Sequence, residues 1–342
     1  MSLFLAVMIA LSYNWKDLNF SDLYETKKGS IKRTGIQSYE SFENNLRTLN
    51  KIYKRFFNSN KDPIGIITYS NGLPVGSILL YVQSSKKLEI NPWELRGHPW
   101  ITQYSDKKVI ISQLLKKAIE FAKENGYSNI VLSITKKDSQ PEEYIRYLHH
   151  GFQFHHESVG MNIHLDNYTP SKVLLPDEFN LKNLGEIDPK SLFKPYYETL
   201  RDNATHYFYD YNLLECEDFF LNSIMKSDEC ENPLSVVLYD KEKVVGFSFV
   251  MEYNTNFHFL DWIGIHPDYR GKGYGKLLLS YVMNKAKARG VTEMGLSCDT
   301  QNNVAYWMYK QFGWMQDEHE ITLAWTLASN KGYPKNKKLN SG

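Results

Sequence analysis

The chain has 342 residues, a formal net charge of +1 and 42% hydrophobic residues, enough for about two domains that each bury a core without covalent staples. A near-neutral balance with no large Lys/Arg block argues against a nucleic-acid surface. Cys216, Cys230 and Cys298 are too few and too unpatterned for a disulfide framework or a metal site, so the expected compartment is the cytoplasm.

In chain order, Ser2 to Leu11 is a short apolar run without a basic n-region and far below bilayer-spanning length. It reads as a first buried strand, with Met8 as an alternative start, and no other segment is a membrane candidate. Tyr39 to Asn58 has amphipathic helical spacing. Ile64 to Tyr69 and Val75 to Tyr81 flank Ser70-Asn71-Gly72-Leu73-Pro74, a hairpin signal. Val109 to Glu124 is helical, Ile130 to Ile134 a strand, Pro141 to His150 a helix closed by Gly151, and Phe152 to Leu165 one or two strands. His149, His150, His155 and His156 straddle that last turn without acidic or Cys partners at ligand spacing, which suits a solvated turn and not a metal site.

The second half repeats this order. Asn232 to Tyr239, a turn, and Val244-Val245-Gly246 match Asp62 to Tyr69, a turn, and Pro74-Val75-Gly76 without a gap. Ala286 to Gly290 corresponds to Ala122 to Gly126, Leu296-Ser297 to Leu132-Ser133, and Phe312-Gly313-Trp314 to His150-Gly151-Phe152. The expectation is a tandem duplication of mixed α/β modules over residues 1–166 and 178–327, joined by a linker at 167–177. The polar, lysine-rich tail 328–342 is expected to be disordered. Asn203 to Tyr211 is a dense aromatic run that either lines a slot for an apolar or aromatic ligand or packs the interface between modules.

Phe257 to Ile265 reads as a strand and Leu277 to about Arg289 as a helix, joined by His266-Pro267-Asp268-Tyr269-Arg270-Gly271-Lys272-Gly273-Tyr274-Gly275-Lys276. Three glycines before a helix leave backbone N–H groups exposed, and Gly lets an anion approach them closely at the positive end of the helix dipole. Arg270, Lys272 and Lys276 reinforce that sign. A P-loop fails because Arg270 and Leu277 stand where Gly and Ser/Thr are needed, and a dinucleotide fingerprint fails because Lys276 stands where it needs Gly.

The pattern R-x-x-G-x-G on Arg270, Gly273 and Gly275, together with Asn302-Asn303-Val304-Ala305 leading to Tyr309 and Phe312-Gly313-Trp314, resembles the GNAT superfamily of acyl-CoA-dependent N-acetyltransferases. The layout is similar to that of tandem members of the superfamily. The resemblance implies two modules, each a twisted mixed sheet flanked by helices, with acetyl-CoA as acyl donor and a small-molecule or peptide amine as acceptor. It also implies that pantetheine pairs with the strand before the loop, near Ile263 and Ile265, and that the N–H of Ile263 or Gly264 polarises the thioester carbonyl. Residues 270–276 would hold the pyrophosphate. Register carried back from the second half puts Asp106-Lys107-Lys108-Val109-Ile110-Ile111 at the place of Arg270 to Gly275, so the first half should not bind acyl-CoA in the usual way.

Acyl transfer to an amine needs a polarised carbonyl, a deprotonated amine and a protonated leaving thiolate. Tyr309 falls on the family's acid position, or else is a core tyrosine. Asn302 either contacts the cofactor or caps its helix, and both can hold. The usual Glu position is Phe259 here. With strict alternation Phe259, Asp261, Ile263 and Ile265 share a face, which makes Asp261 the first choice of base, acting through a water, with Glu252 and His258 behind it. A non-catalytic acyl-CoA-binding protein is the alternative.

Overall fold

The structure is a computed structural model that describes residues 7–12, 19–30, 42–44, 46–47, 50–51, 61–91, 99–102, 106–135, 141–201, 213–226 and 233–327. The aromatic run 203–211, Cys230 and the tail 328–342 lie outside the described residues. So does most of the helix expected over 39–58, of which residues 42–44, 46–47 and 50–51 are helical.

The apolar N-terminal run forms strand β1 (Val7–Ser12), followed by helix α1 (Phe20–Ser30). Strands β2 (Ile64–Ser70) and β3 (Leu73–Val82) are joined by Asn71 and Gly72 at φ 51° and 78°. Two consecutive positive φ values match the twist of a two-residue hairpin. The turn is shorter than expected because Leu73 and Pro74 already pair with Ser70 and Tyr69. Next come β4 (Lys87–Ile90), β5 (Trp100–Ile101), α2 (Lys107–Glu124), β6 (Asn129–Thr135), α3 (Pro141–His149) and β7 (Phe152–His164), the last a single strand.

The second half supplies β8 (Phe179–Asn183), α4 (Pro189–Leu200) and α5 (Leu213–Phe219), then the hairpin β9 (Val236–Asp240) and β10 (Lys243–Glu252). It continues with β11 (Phe257–Ile265), α6 (Tyr274–Ala288), β12 (Glu293–Asp299), α7 (Asn303–Gln311) and β13 (Met315–Thr326). Helix α4 begins where Asp188 accepts hydrogen bonds from the N–H groups of Lys190 and Ser191, with Pro189 in the first turn, where its missing N–H costs nothing.

Among the described residues thirteen strands form one sheet, in the order β1-β2-β3-β4-β6-β13-β7-β12-β11-β10-β9-β8, with β5 attached to β3. The mixed α/β class is as expected, but the two sheets run into one. The order is the same from either end, because each first-half strand has a second-half counterpart at equal distance from the centre. At that centre the halves exchange strands: β13 pairs antiparallel with β6, and β7 pairs antiparallel with both β12 and β13. Consecutive β6 and β7 are thus separated by β13, and β12 and β13 by β7.

Alternate side chains divide between the two faces. In β10, Val250 packs with α6 and α7, whereas Phe247 and Phe249 pack with α4 and α5. In the first half Ile78 and Leu80 pack with α2, and Leu79 and Tyr81 pack on the opposite face with Leu23 of α1.

Candidate functional site

The turn before α6 is built around Gly271 and Gly273, at φ 76° and 87°, where an L side chain would be strained. A Cβ placed on either would meet nothing within 4 Å among the described residues, which leave the space in front of the backbone open. Gly273 is the N-cap and offers no side chain to the first turn. The N–H groups of Tyr269 and Arg270 close the short 3-10 turn Pro267–Tyr269, and the next backbone bond runs from Leu277 N–H to Gly273 O at 3.1 Å. Between them, the N–H groups of Gly271 to Lys276 have no acceptor among the described residues. That is six consecutive donors at the positive end of a 15-residue helix, an arrangement suited to a large anion.

Gly275 is already helical. Its added Cβ would lie 3.5 Å from the Met308 sulfur, an ordinary contact, so α7 rests on the first turn of α6. Tyr274 stacks on Phe179 with ring centres 5.0 Å apart. Of the cations, Lys272 donates to Asp268 O at 3.1 Å and lies over the Tyr269 ring. Arg270 donates from Nε to Ile265 O at 2.9 Å and from Nη2 to Thr199 O at 2.7 Å. Lys276 is exposed and has no such partner among the described residues.

The corresponding turn of the first half is closed. Helix α2 has 18 residues against 15 in α6, and its extra turn at Lys107 to Val109 takes the place of Gly271 to Gly273. The Asp106 carboxylate accepts from the N–H groups of Lys108 and Val109, filling the anion position with the chain's own charge. The Ile110 side chain also presses on β3, since a Cβ at Gly76 would lie 2.3 Å from its Cγ2.

Strands β11 and β12 are paired only where Phe257 to Phe259 face Glu293 to Gly295. Beyond Phe259 each keeps its outer partner, β10 or β7, but not the other, so the sheet opens into a V between Leu260–Ile265 and Leu296–Asp299. Asp261 sits just past the point where the two strands part. Val250 pairs with Leu260 and Phe249 with Trp262, which leaves Asp261 as the extra residue of a β-bulge. The bulge breaks the expected alternation: Leu260, Ile263 and Ile265 pack toward α6, and Trp262 packs toward α4. Phe259 therefore does not share a face with Ile263 and Ile265.

Asp261 Oδ2 is buried and has no hydrogen-bond partner among the described residues. Burial pushes its carboxyl up to about 6, with the neighbouring Trp262 acting in the opposite direction. Glu252 and His258 face each other in the closed part of the strand, with His258 Nε2 3.6 Å from Glu252 Oε2. Burial holds His258 below its ordinary value, opposed by Glu252 and helped by Arg289.

On α7, Asn302 Oδ1 accepts from Ala305 N–H at 3.2 Å and caps the helix. Tyr309 is 5% exposed, with its ring 5.9 Å from that of Trp314. Burial, and to a lesser degree Cys298 beside it, raises its hydroxyl well above the ordinary phenol range. It stays a proton donor at any working pH.

The sequence gives no sign that β7 completes this region. Glu157 O accepts from Thr300 N–H at 2.9 Å, and Glu157 Oε1 lies 2.8 Å from His319 Nδ1. A first-half strand thereby borders the end of β12. Among the described residues no group of three or more His, Cys, Asp or Glu is placed to hold a metal ion, and no helix is long and apolar enough to cross a membrane.

Residues 191–314 match the family described as the acetyltransferase (GNAT) family. The [ribosomal protein bS18]-alanine N-acetyltransferase of Haemophilus influenzae is 30% identical over 92 residues, which is 26% of this chain and 60% of that protein. The mycothiol acetyltransferase of Corynebacterium glutamicum is 25% identical over 101 residues, 30% of this chain and 35% of that protein. The chain thus spans less than two thirds of the length of each of these relatives. A GCN5-related N-acetyltransferase from Sphaerobacter thermophilus superposes with a TM-score of 0.64 at 14% identity, covering 93% of this chain and 95% of that one. A tandem GNAT protein from the clavulanic acid biosynthesis pathway superposes with a TM-score of 0.60 at 12% identity, covering 94% and 98%. At these identities the two structures speak for the fold.

Proposed function

We propose, for a chain whose residues 191–314 match the acetyltransferase (GNAT) family, that it is an acetyl-CoA-dependent N-acetyltransferase acting on the amine of a small molecule or peptide. The observation that carries this reading is the row of six unaccepted N–H groups from Gly271 to Lys276 opening beside the V between β11 and β12. When bound, acetyl-CoA supplies an activated acyl thioester. The chain's own residues do the rest. The N–H groups of 271–276 hold the pyrophosphate, with Lys276 adding charge and Asn302 near the cofactor. The freed edge of β11 at Ile263 and Ile265 offers backbone partners to pantetheine and, of the two expected N–H groups, that of Ile263 to the carbonyl, since the bond from His266 N–H to Val245 O puts the Gly264 N–H on the side of β10.

Asp261, with a carboxyl raised to about 6, accepts the proton of the incoming ammonium, directly or through a water. It is favoured over Glu252 and His258 because it stands where the strands part, whereas they lie where the strands are paired. Tyr309 donates a proton to the departing thiolate. We further propose that the two-module division at 167–177 makes residues 178–327 catalytic and 1–166 a non-binding partner, as the self-capped α2 suggests, and that the protein works in the cytoplasm.

The test is calorimetry with acetyl-CoA on the intact protein and on Gly273→Asp, which copies the cap of α2. Asp tolerates a positive φ better than most residues, so the strain at this position should cost no more than about 1–2 kcal/mol, and a melting curve would check that the variant is folded at the assay temperature. One site per chain in the wild type, lost in Gly273→Asp, is the expected result. Two sites, or binding that survives the carboxylate, would overturn it. Binding without turnover on any amine would favour an acyl-CoA-binding protein.

A further inference from the structure

Arg270 is the loop cation that both sequence and position offer to a phosphate, yet its guanidinium is engaged elsewhere. Nε donates to Ile265 O, the last residue of β11, and Nη2 to Thr199 O in the last turn of α4. Two further contacts tie the same turn to the same junction. His266 Nε2 lies 3.4 Å from Glu198 Oε2. Gly264 lets the strand approach so closely that a Cβ there would lie 2.6 Å from Thr199 Cγ2. Helix α4 in turn carries Tyr196, whose ring centre is 6.0 Å from that of Trp262, the neighbour of Asp261. A continuous path therefore runs from the anion-binding turn through Arg270 to α4 and on to the environment of Asp261.

We propose that Arg270 is a positioning residue that reports occupancy of the 271–276 turn to α4, so that binding of the acyl donor orders the wall beside Asp261. The inference rests on reading 271–276 as the acyl-CoA site. An anion held by the N–H groups of Gly271 and its successors fixes the backbone that immediately follows Arg270. The guanidinium then loses less freedom in keeping its two carbonyl bonds, and α4 is held at its C-terminal end, where unsatisfied carbonyls favour a cation. Such coupling needs no large movement, only a difference in order between the free and bound states.

The experiment is hydrogen exchange of the α4 amides, read by mass spectrometry on the full chain with and without saturating coenzyme A. It is run on the wild type, Arg270→Lys and Arg270→Gln, with the coenzyme A dissociation constant of each measured by calorimetry. In the wild type coenzyme A should slow α4 exchange by about fivefold or more, the low end of usual coupling between sites. Arg270→Gln should bind coenzyme A within about threefold of the wild type but lose most of the slowing. Arg270→Lys, able to reach one carbonyl but not both, should fall between them. Equal slowing in the wild type and Arg270→Gln would overturn the inference, as would wild-type binding without any slowing. A large loss of coenzyme A affinity in Arg270→Gln would make Arg270 a cofactor ligand instead. Failure of the wild type to bind at all would remove the underlying reading as well, so the two failures are distinct.

Discussion

Asp261 carries opposite consequences for activity and for stability. Its carboxyl stands at about 6 against an ordinary 3.8. Below the ordinary value it is protonated in both the folded and unfolded chain. As pH rises the unfolded chain ionises first, so folding loses stability, and above about pH 6 the loss is complete, at most about 3 kcal/mol. Asp261→Asn should therefore melt higher than the wild type at pH 8 and alongside it near pH 3.5. The same variant should lose roughly a hundredfold or more in turnover, while wild-type kcat/KM rises with pH and levels off above about 6. An unchanged rate would pass the base role to another group. Tyr309→Phe should cut kcat by a comparable factor with acetyl-CoA affinity little changed, since the proposed proton transfer to the departing thiolate occurs only in the transition state. How far could these residues be read beforehand? The cap at Asn302 and the place of Tyr309 near the end of its helix could, because caps and helix ends leave local marks. The bulge at Asp261 could not: no Gly or Pro announces it, and it arises only when β10 and β11 are laid side by side.

Helices α2 and α6 hold the same place in their halves and differ at their starts. Three glycines in the sequence are enough to foresee an open N-terminus on α6. That the lost glycines at 107–109 become a further helical turn under an Asp cap follows from the same propensities, because Asp is a preferred N-cap. Asp106→Ala should cost about 1 kcal/mol of stability and confer no coenzyme A binding, as Ile110 still fills the space against β3; melting curves and calorimetry would check both. Gly246→Ala tests the outer, β10 side of the V. Its Cβ would fall 2.5 Å from Gly264 O and 2.6 Å from Ile265 Cδ1, and backbone cannot step aside as a side chain can. A cost of about 1–3 kcal/mol is expected, and normal stability would mean that β10 and β11 separate more readily than their pairing suggests.

At the scale of the whole molecule the exchange of β7 and β13 dominates. Composition and repeats point to two modules, but pairing between residues more than a hundred apart leaves no trace in local periodicity, so the shared sheet was not legible. Its consequence is testable: residues 178–342 made alone should fail to fold cooperatively, because β12 loses its partner β7 and β13 loses both β6 and β7. Mixed with residues 1–166, they should recover a cooperative melt. A stable, acetyl-CoA-binding second half on its own would show that the exchange is dispensable. The palindromic order also bears on how such a gene can change. A non-binding copy in a tandem gene can be removed by a deletion, but here that event would tear strands from the remaining half. If the first half binds no acyl-CoA, as proposed above, it can change only in place, one codon at a time, with its strands kept as partners of the second half's.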